Sequence, residues 1–195
     1  MKILVADKLA QAGLDRLAAA GIEFDVKPGL GEADLAAIVG NYDGMLIRSG
    51  VKITAKVMEN PGKLRAIARA GVGVDNVDLT TATQRGILVM NTPDANTIST
   101  AEHAMGMLLA MARRIPDAHA SMKAGQWEKS KFMGTQLAGK TLGIVGFGRI
   151  GRTVAVRALS FDMKVIAYDP FQAADTALDG KVTLVKTLDA LLADA

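Results

Sequence analysis

An α/β protein made of doubly wound units is predicted by three observations. Short apolar runs alternate with amphipathic stretches through residues 2–90. A cluster of turn formers, Asn91-Thr92-Pro93-Asp94-Ala95-Asn96, then breaks the rhythm. Further on, the glycine loop Gly146-Phe147-Gly148-Arg149-Ile150-Gly151 separates an apolar run from a stretch with helical spacing. Alternating strands and helices indicate a parallel sheet with helices on both faces.

Strands are expected at Lys2–Asp7, Phe24–Val26, Gly44–Arg48, Leu64–Ala68 and Ile87–Met90. Between them, helical spacing marks Leu9–Ala20, Glu32–Val39, Thr54–Glu59 and Val77–Arg85, the last stopped by Gly86. Residues 1–96 therefore read as a complete, flavodoxin-like unit. After the turn cluster, Ser99-Thr100-Ala101-Glu102 matches a capping box, in which the hydroxyl and the carboxylate satisfy free N–H groups at a helix start. The helix that follows is apolar on nearly every side as far as Ala112 and breaks at Arg113-Arg114-Ile115-Pro116. All-round apolarity predicts burial on more than one face, which suits an interdomain or dimerisation helix over 99–115. A second helical piece, Asp117 to Lys123, leads past Trp127 to the strand Thr141–Val145 and the glycine loop. The strand Lys164–Tyr168 closes on Asp169. A loop, a short strand at Val182–Val185 and a helix starting at Thr187 complete the chain.

Strand, glycine loop, helix, strand and acid, in that order, form the dinucleotide fingerprint in its required context. Gly146 makes the tight turn, Gly148 lets the backbone approach a pyrophosphate, and Gly151 lets helix and strand pack closely. N–H groups at the helix start and the helix dipole attract the phosphates. Asp169 is placed to accept hydrogen bonds from ribose hydroxyls and to repel a 2′-phosphate, which favours NAD over NADP. The alternative for Asp169 is a solvated strand-end acid. Residues 97–195 thus read as the N-terminal half of an NAD-binding Rossmann domain, with three of its usual six strands.

Composition agrees with a packed α/β protein: half of the 195 residues are hydrophobic and 22% are charged. The net charge of +3 is small and scattered, so nucleic acid gains little support as a partner. The absence of cysteine removes disulfides, zinc-thiolate sites and thiol catalysis, and no metal site is expected. Met1-Lys2 runs straight into a strand, and the longest uncharged apolar stretch, Ala104 to Ala112, is too short for a bilayer. No membrane partner is expected, and a cytoplasmic protein is the default.

Arg48 and Arg69 close neighbouring strands, at the carboxyl edge of the first sheet. A guanidinium fork binds carboxylate and phosphate in a bidentate way, so the pair suits a substrate carrying both groups. Either arginine could instead form a structural ion pair. Gly71 and Gly73 let the backbone come close to a ligand, or simply make a turn. His103 and His119 are the candidates for an imidazole base, and neither follows a strand end. Both are expected to be non-catalytic.

Several segments closely resemble the D-2-hydroxy-acid dehydrogenases. They are Leu46-Ile47-Arg48-Ser49, Arg69 through Asp78, Gly86 through Pro93, Ala101-Glu102-His103, Trp127-Glu128 with Lys131-Phe132-Met133-Gly134, and the fingerprint. The Phe-Met-Gly segment is more similar to the phosphoglycerate branch. The resemblance implies an NAD-dependent oxidoreductase that converts 3-phospho-D-glycerate to 3-phosphohydroxypyruvate in serine biosynthesis. It implies a substrate unit over 1–96, with Arg48, Ser49, Arg69, Gly71 and Gly73 at the substrate. Val72, Gly146, Gly148, Arg149, Ile150, Gly151 and Asp169 would meet the cofactor. Val72 could equally pack on its own domain, and Arg149 could be a surface charge. The family's catalytic Arg, Glu and His match no position here and are expected beyond Ala195. The chain is therefore expected to be an N-terminal portion, inactive alone and homo-oligomeric through 99–127. Two alternatives stay open: a stand-alone nucleotide-binding or structural module, and a different 2-hydroxy acid such as glyoxylate or hydroxypyruvate.

Overall fold

The computed structural model describes residues 1–172 and 176–195, and the chain divides into two compact units, Met1–Asn96 and Thr97–Ala195. In the first unit the strands are β1 (Lys2–Val5), β2 (Glu23–Val26), β3 (Gly44–Ile47), β4 (Ala66–Arg69) and β5 (Leu88–Met90). They pair in parallel in the order β2-β1-β3-β4-β5, the flavodoxin-like order. Helices α1 (Gln11–Ala19), α2 (Glu32–Ile38) and α3 (Leu79–Gln84) make the crossovers, with a 3-10 turn at Val39–Asn41. Asp78 caps α3, accepting from the Thr81 amide and hydroxyl at 2.9 and 3.0 Å. Leu4, Met45, Ile47 and Ile67 from the strands meet Leu35, Val39, Met58 and Leu64 in one core.

The expected helix over Thr54–Glu59 is instead a run of turns. Val57 and Met58 are fully buried, so their apolar spacing reflects two plugs into the core from a turn, not a helix face.

In the second unit, α4 (Thr97–Ala112) and α5 (Ile115–Lys123) precede β6 (Thr141–Val145), α6 (Arg149–Leu159), β7 (Lys164–Tyr168), β8 (Thr176–Ala177), β9 (Val182–Leu184) and α7 (Leu188–Asp194). The sheet order is β6-β7-β9-β8. The first three strands are parallel, and β8 lies antiparallel to β9. The core gathers Ile144, Phe147, Ala155, Ala158, Val165, Ala167 and Leu184, with Met105 from α4. The Thr187 hydroxyl caps α7, accepting from the Ala190 amide at 3.1 Å.

Two expectations for this unit need correction. Helix α4 starts at Thr97, so Ser99 is its third residue and the Ser99–Glu102 segment does not open it. The Glu102 carboxylate accepts from Arg157 of α6 at 3.2 Å. Within its own unit, α4 buries Ala101 and Met105 and leaves Ile98, Met107 and Met111 exposed. Nor is 99–115 one helix. Arg114 takes a left-handed conformation (φ 52°), and Ile115 with Pro116 begins α5, where a proline's missing N–H costs nothing. The hairpin strand β8 was not foreseen, although its turn carries Asp179-Gly180, a pair suited to left-handed turn positions. The loop expected after Asp169 lies partly outside the described residues. Among those residues no helix is long and apolar enough to cross a membrane.

Candidate functional site

The glycine loop joins β6 to α6, and its geometry gives each glycine a separate reason. Gly146 has φ +89°, a conformation that L side chains rarely adopt, and its N–H donates to the Tyr168 carbonyl at 2.7 Å. A Cβ on Gly151 would lie 2.2 Å from the Gly146 carbonyl oxygen, so the helix can approach the loop only with glycine there. Gly148 is different. Its backbone is extended (φ −76°, ψ −157°), and a Cβ would meet nothing within 4 Å. Neither conformation nor packing calls for glycine at 148, which leaves clear space beside the start of α6. The N-cap residue is Gly148 itself, so it brings no side chain to cap that start. Open space next to a glycine-capped helix N-terminus is the geometry that accommodates a phosphate group. Arg149 and Ile150 are the first two residues of α6.

Asp169 follows β7 and reaches back across the loop. Its Oδ1 accepts from the Phe171 amide at 2.9 Å and its Oδ2 from the Phe147 amide at 2.8 Å. These two amides, chiefly that of Phe171, hold its carboxyl below the usual carboxylate range, with lesser help from Gln172 and Arg152. The carboxylate is therefore charged at neutral pH, and beside it the Phe171 ring is 95% exposed.

In the first unit, the carboxyl ends of β1 and β3 flank the point where strand order reverses, the usual place for a ligand in an open sheet. Asp7 lies just past β1, where its Oδ2 accepts from the Arg48 and Gly50 amides at 3.1 and 3.0 Å. The Asn76 amide donates to the carbonyls of Arg48 (2.8 Å) and Val51 (2.6 Å), tying the segment around Ser49 to the glycine-rich loop. Arg48 and Ser49 are exposed. Arg69 is mostly buried, and its Nη1 donates to Asp75 Oδ1 at 2.7 Å. This bond lowers the Asp75 pKa, reinforced by a backbone hydrogen bond and by the charge of Arg69.

Gly71 and Gly73 both adjoin this ion pair. A Cβ on Gly73 would lie 2.7 Å from Asp75 Oδ1, and one on Gly71 3.2 Å from Arg69 Nε. That Nε is buried and without a hydrogen-bond partner. Val72 is half-buried, its carbonyl accepting from Asn91 at 2.6 Å. His103 and His119 are exposed on α4 and α5.

Sequence reasoning missed Asp7, Asp75, Asn76, Arg152 and Gln172. Only Asp7 carried a signal, as an acid just past a strand beside the switch in strand order.

Residues 3–192 match the family model described as "D-isomer specific 2-hydroxyacid dehydrogenase, catalytic domain". The chain belongs to the D-isomer specific 2-hydroxyacid dehydrogenase family. Among relatives, a D-3-phosphoglycerate dehydrogenase from Archaeoglobus fulgidus is 47% identical over 195 residues, covering all of this chain and 37% of that protein. The chain thus spans about a third of the length of such relatives. Among solved structures, an NAD-dependent formate dehydrogenase from Staphylococcus aureus in complex with NAD aligns with TM-score 0.82 and 29% identity. It is matched over all of this chain and 63% of its own. An acyclic imino acid reductase in complex with NADPH and D-Arg aligns with TM-score 0.88 and 25% identity, over all of this chain and 63% of its own. The first of these structures holds NAD and the second NADPH, so both hold a nicotinamide dinucleotide.

Proposed function

We propose that this chain supplies the substrate unit and the first half of the NAD-binding unit of a D-3-phosphoglycerate dehydrogenase. The carrying observation is the loop at 146–151, where open space at Gly148 meets a glycine-capped helix start and a charged Asp169. When bound, the nicotinamide cofactor would take up the hydride released from the substrate's secondary alcohol. The chain's own residues bind and orient. The start of α6, with Arg149, Ile150 and Gly151, would hold the pyrophosphate, and Asp169 the adenosine ribose. Two observations support NAD over NADP: the fixed charge of Asp169 and its neighbour Pro170, which offers no cation to a 2′-phosphate.

In the first unit the proposed ligand carries a phosphate and a carboxylate. The exposed Arg48 is the donor that supports this reading, with Arg69, Ser49, Gly71 and Gly73 as its proposed companions. Val72 is proposed to face the nicotinamide. Arg69 also serves Asp75, so part of its capacity is structural. Turnover is proposed to need a base and acid other than His103 and His119. A cytoplasmic, homo-oligomeric enzyme completes the proposal. Exposed Met107, Met111, Trp127 (77% exposed) and Met133 support a second copy of the chain as partner.

Nuclear magnetic resonance titration tests the cofactor reading. NAD and ADP-ribose are expected to bind about equally, with dissociation constants on the order of a millimolar. NADP should bind about tenfold more weakly, and Asp169→Ser should remove the difference. Equal binding of NADP by the unaltered chain would refute the assignment of Asp169. Sedimentation at micromolar concentration tests the oligomer, where a clean monomer would refute it.

A further inference from the structure

Phe147 lies between two glycines, so its peptide groups should be the most pliable part of the loop. Yet both are gripped by side chains from the segment after β7. The Phe147 N–H donates to Asp169 Oδ2 at 2.8 Å, and the Phe147 carbonyl accepts from Gln172 Nε2 at 2.7 Å. The same Nε2 lies 3.5 Å from Asp169 Oδ2. Gln172 Oε1 in turn accepts from Arg152 Nη2 at 2.7 Å, and the Arg152 guanidinium sits 4.7 Å from the centre of the Phe147 ring. That ring is fully buried, which anchors the circuit in the core.

The carbonyl of Phe147 and the N–H of Gly148 belong to one planar trans peptide, so they point in opposite directions. Holding the oxygen toward Gln172 therefore turns the Gly148 N–H away from it. The circuit also sets the spacing between the start of α6 and Asp169. Resting on the dinucleotide reading above, we propose that Gln172 is a positioning residue for the nucleotide. It acts through the Phe147–Gly148 peptide to aim a phosphate-binding amide, while Arg152 holds the Gln172 amide in the required sense. A surface glutamine serving only stability would affect every ligand alike. A positioning glutamine affects ligands that need the amide.

The test compares ADP-ribose with adenosine on the unaltered chain, Gln172→Leu and Gln172→Glu, followed by amide shifts of residues 146–151. Gln172→Leu is expected to weaken ADP-ribose about tenfold and adenosine by less than about threefold, because one charge-assisted phosphate contact is misaimed. Gln172→Glu is expected to be at least as weak at pH 7.5, since a carboxylate cannot donate to the Phe147 carbonyl. The new carboxyl would lie between Asp169 and the Arg152 guanidinium, and the cation at hydrogen-bond distance favours its charged form, which cannot donate as the amide did.

Unchanged ADP-ribose binding by Gln172→Leu would overturn the role of Gln172 and leave the dinucleotide reading standing. Equal losses for both ligands would overturn it likewise. If the unaltered chain bound neither NAD nor ADP-ribose, the dinucleotide reading and this proposal would both fall. Should Gln172→Leu fail to fold, Arg152→Met provides the same comparison by removing the partner that orients Gln172.

Discussion

A methyl group placed on Gly151 lands 2.2 Å from the Gly146 carbonyl oxygen, about 0.8 Å inside the 3.0 Å that real Cβ atoms keep. The obstructing atom is backbone, so no side-chain rotation relieves the clash. Helix α6 would have to shift away from the β6 loop by a comparable distance. The shift would drag Ala155 and Ala158, both fully buried, out of contact with the sheet. Overpacking of this kind costs roughly 1–3 kcal/mol. For a chain of this size that lowers the melting midpoint by about 2–4 °C per kcal/mol.

Gly148→Ala is the matched control, because its methyl meets nothing and its φ and ψ suit alanine. Replacing this glycine should leave stability unchanged or raise it by up to about 1 kcal/mol, through a less disordered unfolded chain. It should nevertheless weaken ADP-ribose binding at least about tenfold by filling the space meant for phosphate. The two variants therefore separate packing from binding, with urea unfolding as one assay and ligand titration as the other. Gly148→Ala that binds ADP-ribose normally would refute the phosphate site. Gly151→Ala that unfolds at the unaltered midpoint would refute the close contact of loop and helix.

Thr187→Ala removes the cap of α7 and should cost about 1 kcal/mol in urea unfolding, whereas an unchanged midpoint would mean the cap is idle. Acid should destabilise the fold with a definite sign. Asp25, Asp75, Asp78 and Asp169 all have folded pKa values below the ordinary 3.8, so their stabilisation is complete above that value and is lost as pH falls through the lowered ones. Asp78→Asn and Asp169→Asn should therefore flatten the fall in unfolding midpoint below about pH 4, and a slope equal to that of the unaltered chain would contradict the assignment. The chain alone is expected to yield no NADH from 3-phosphoglycerate and NAD above background. Production of NADH that Asp169→Arg abolishes would show that a base is present and return attention to His103 and His119.

Much of the architecture could be read from residues 1–195 because the signals are local. A parallel strand buried on both faces needs a continuous apolar run, and Met45-Leu46-Ile47 and Val165-Ile166-Ala167 are such runs. The glycine loop was legible for a similar reason, since strand, turn and helix start lie within a dozen residues and each glycine answers a nearby steric demand. The misread segments are those where distant partners decide. Thr54–Glu59 looked helical because Val57 and Met58 are apolar, but a core assembled from other strands drew them in from a turn. Ser99 and Glu102 carried a local capping signal, yet α4 starts at Thr97 and Glu102 pairs with Arg157, 55 residues away. Asp7 meets Arg48 and Gly50, and Gln172 meets Phe147, only because the crossovers bring those loop ends together. Hydrophobic periodicity and turn chemistry act over a few residues and therefore appear in the sequence. A polar side chain bonds with whatever group the topology delivers within about 3 Å, and that choice is made only in the folded chain.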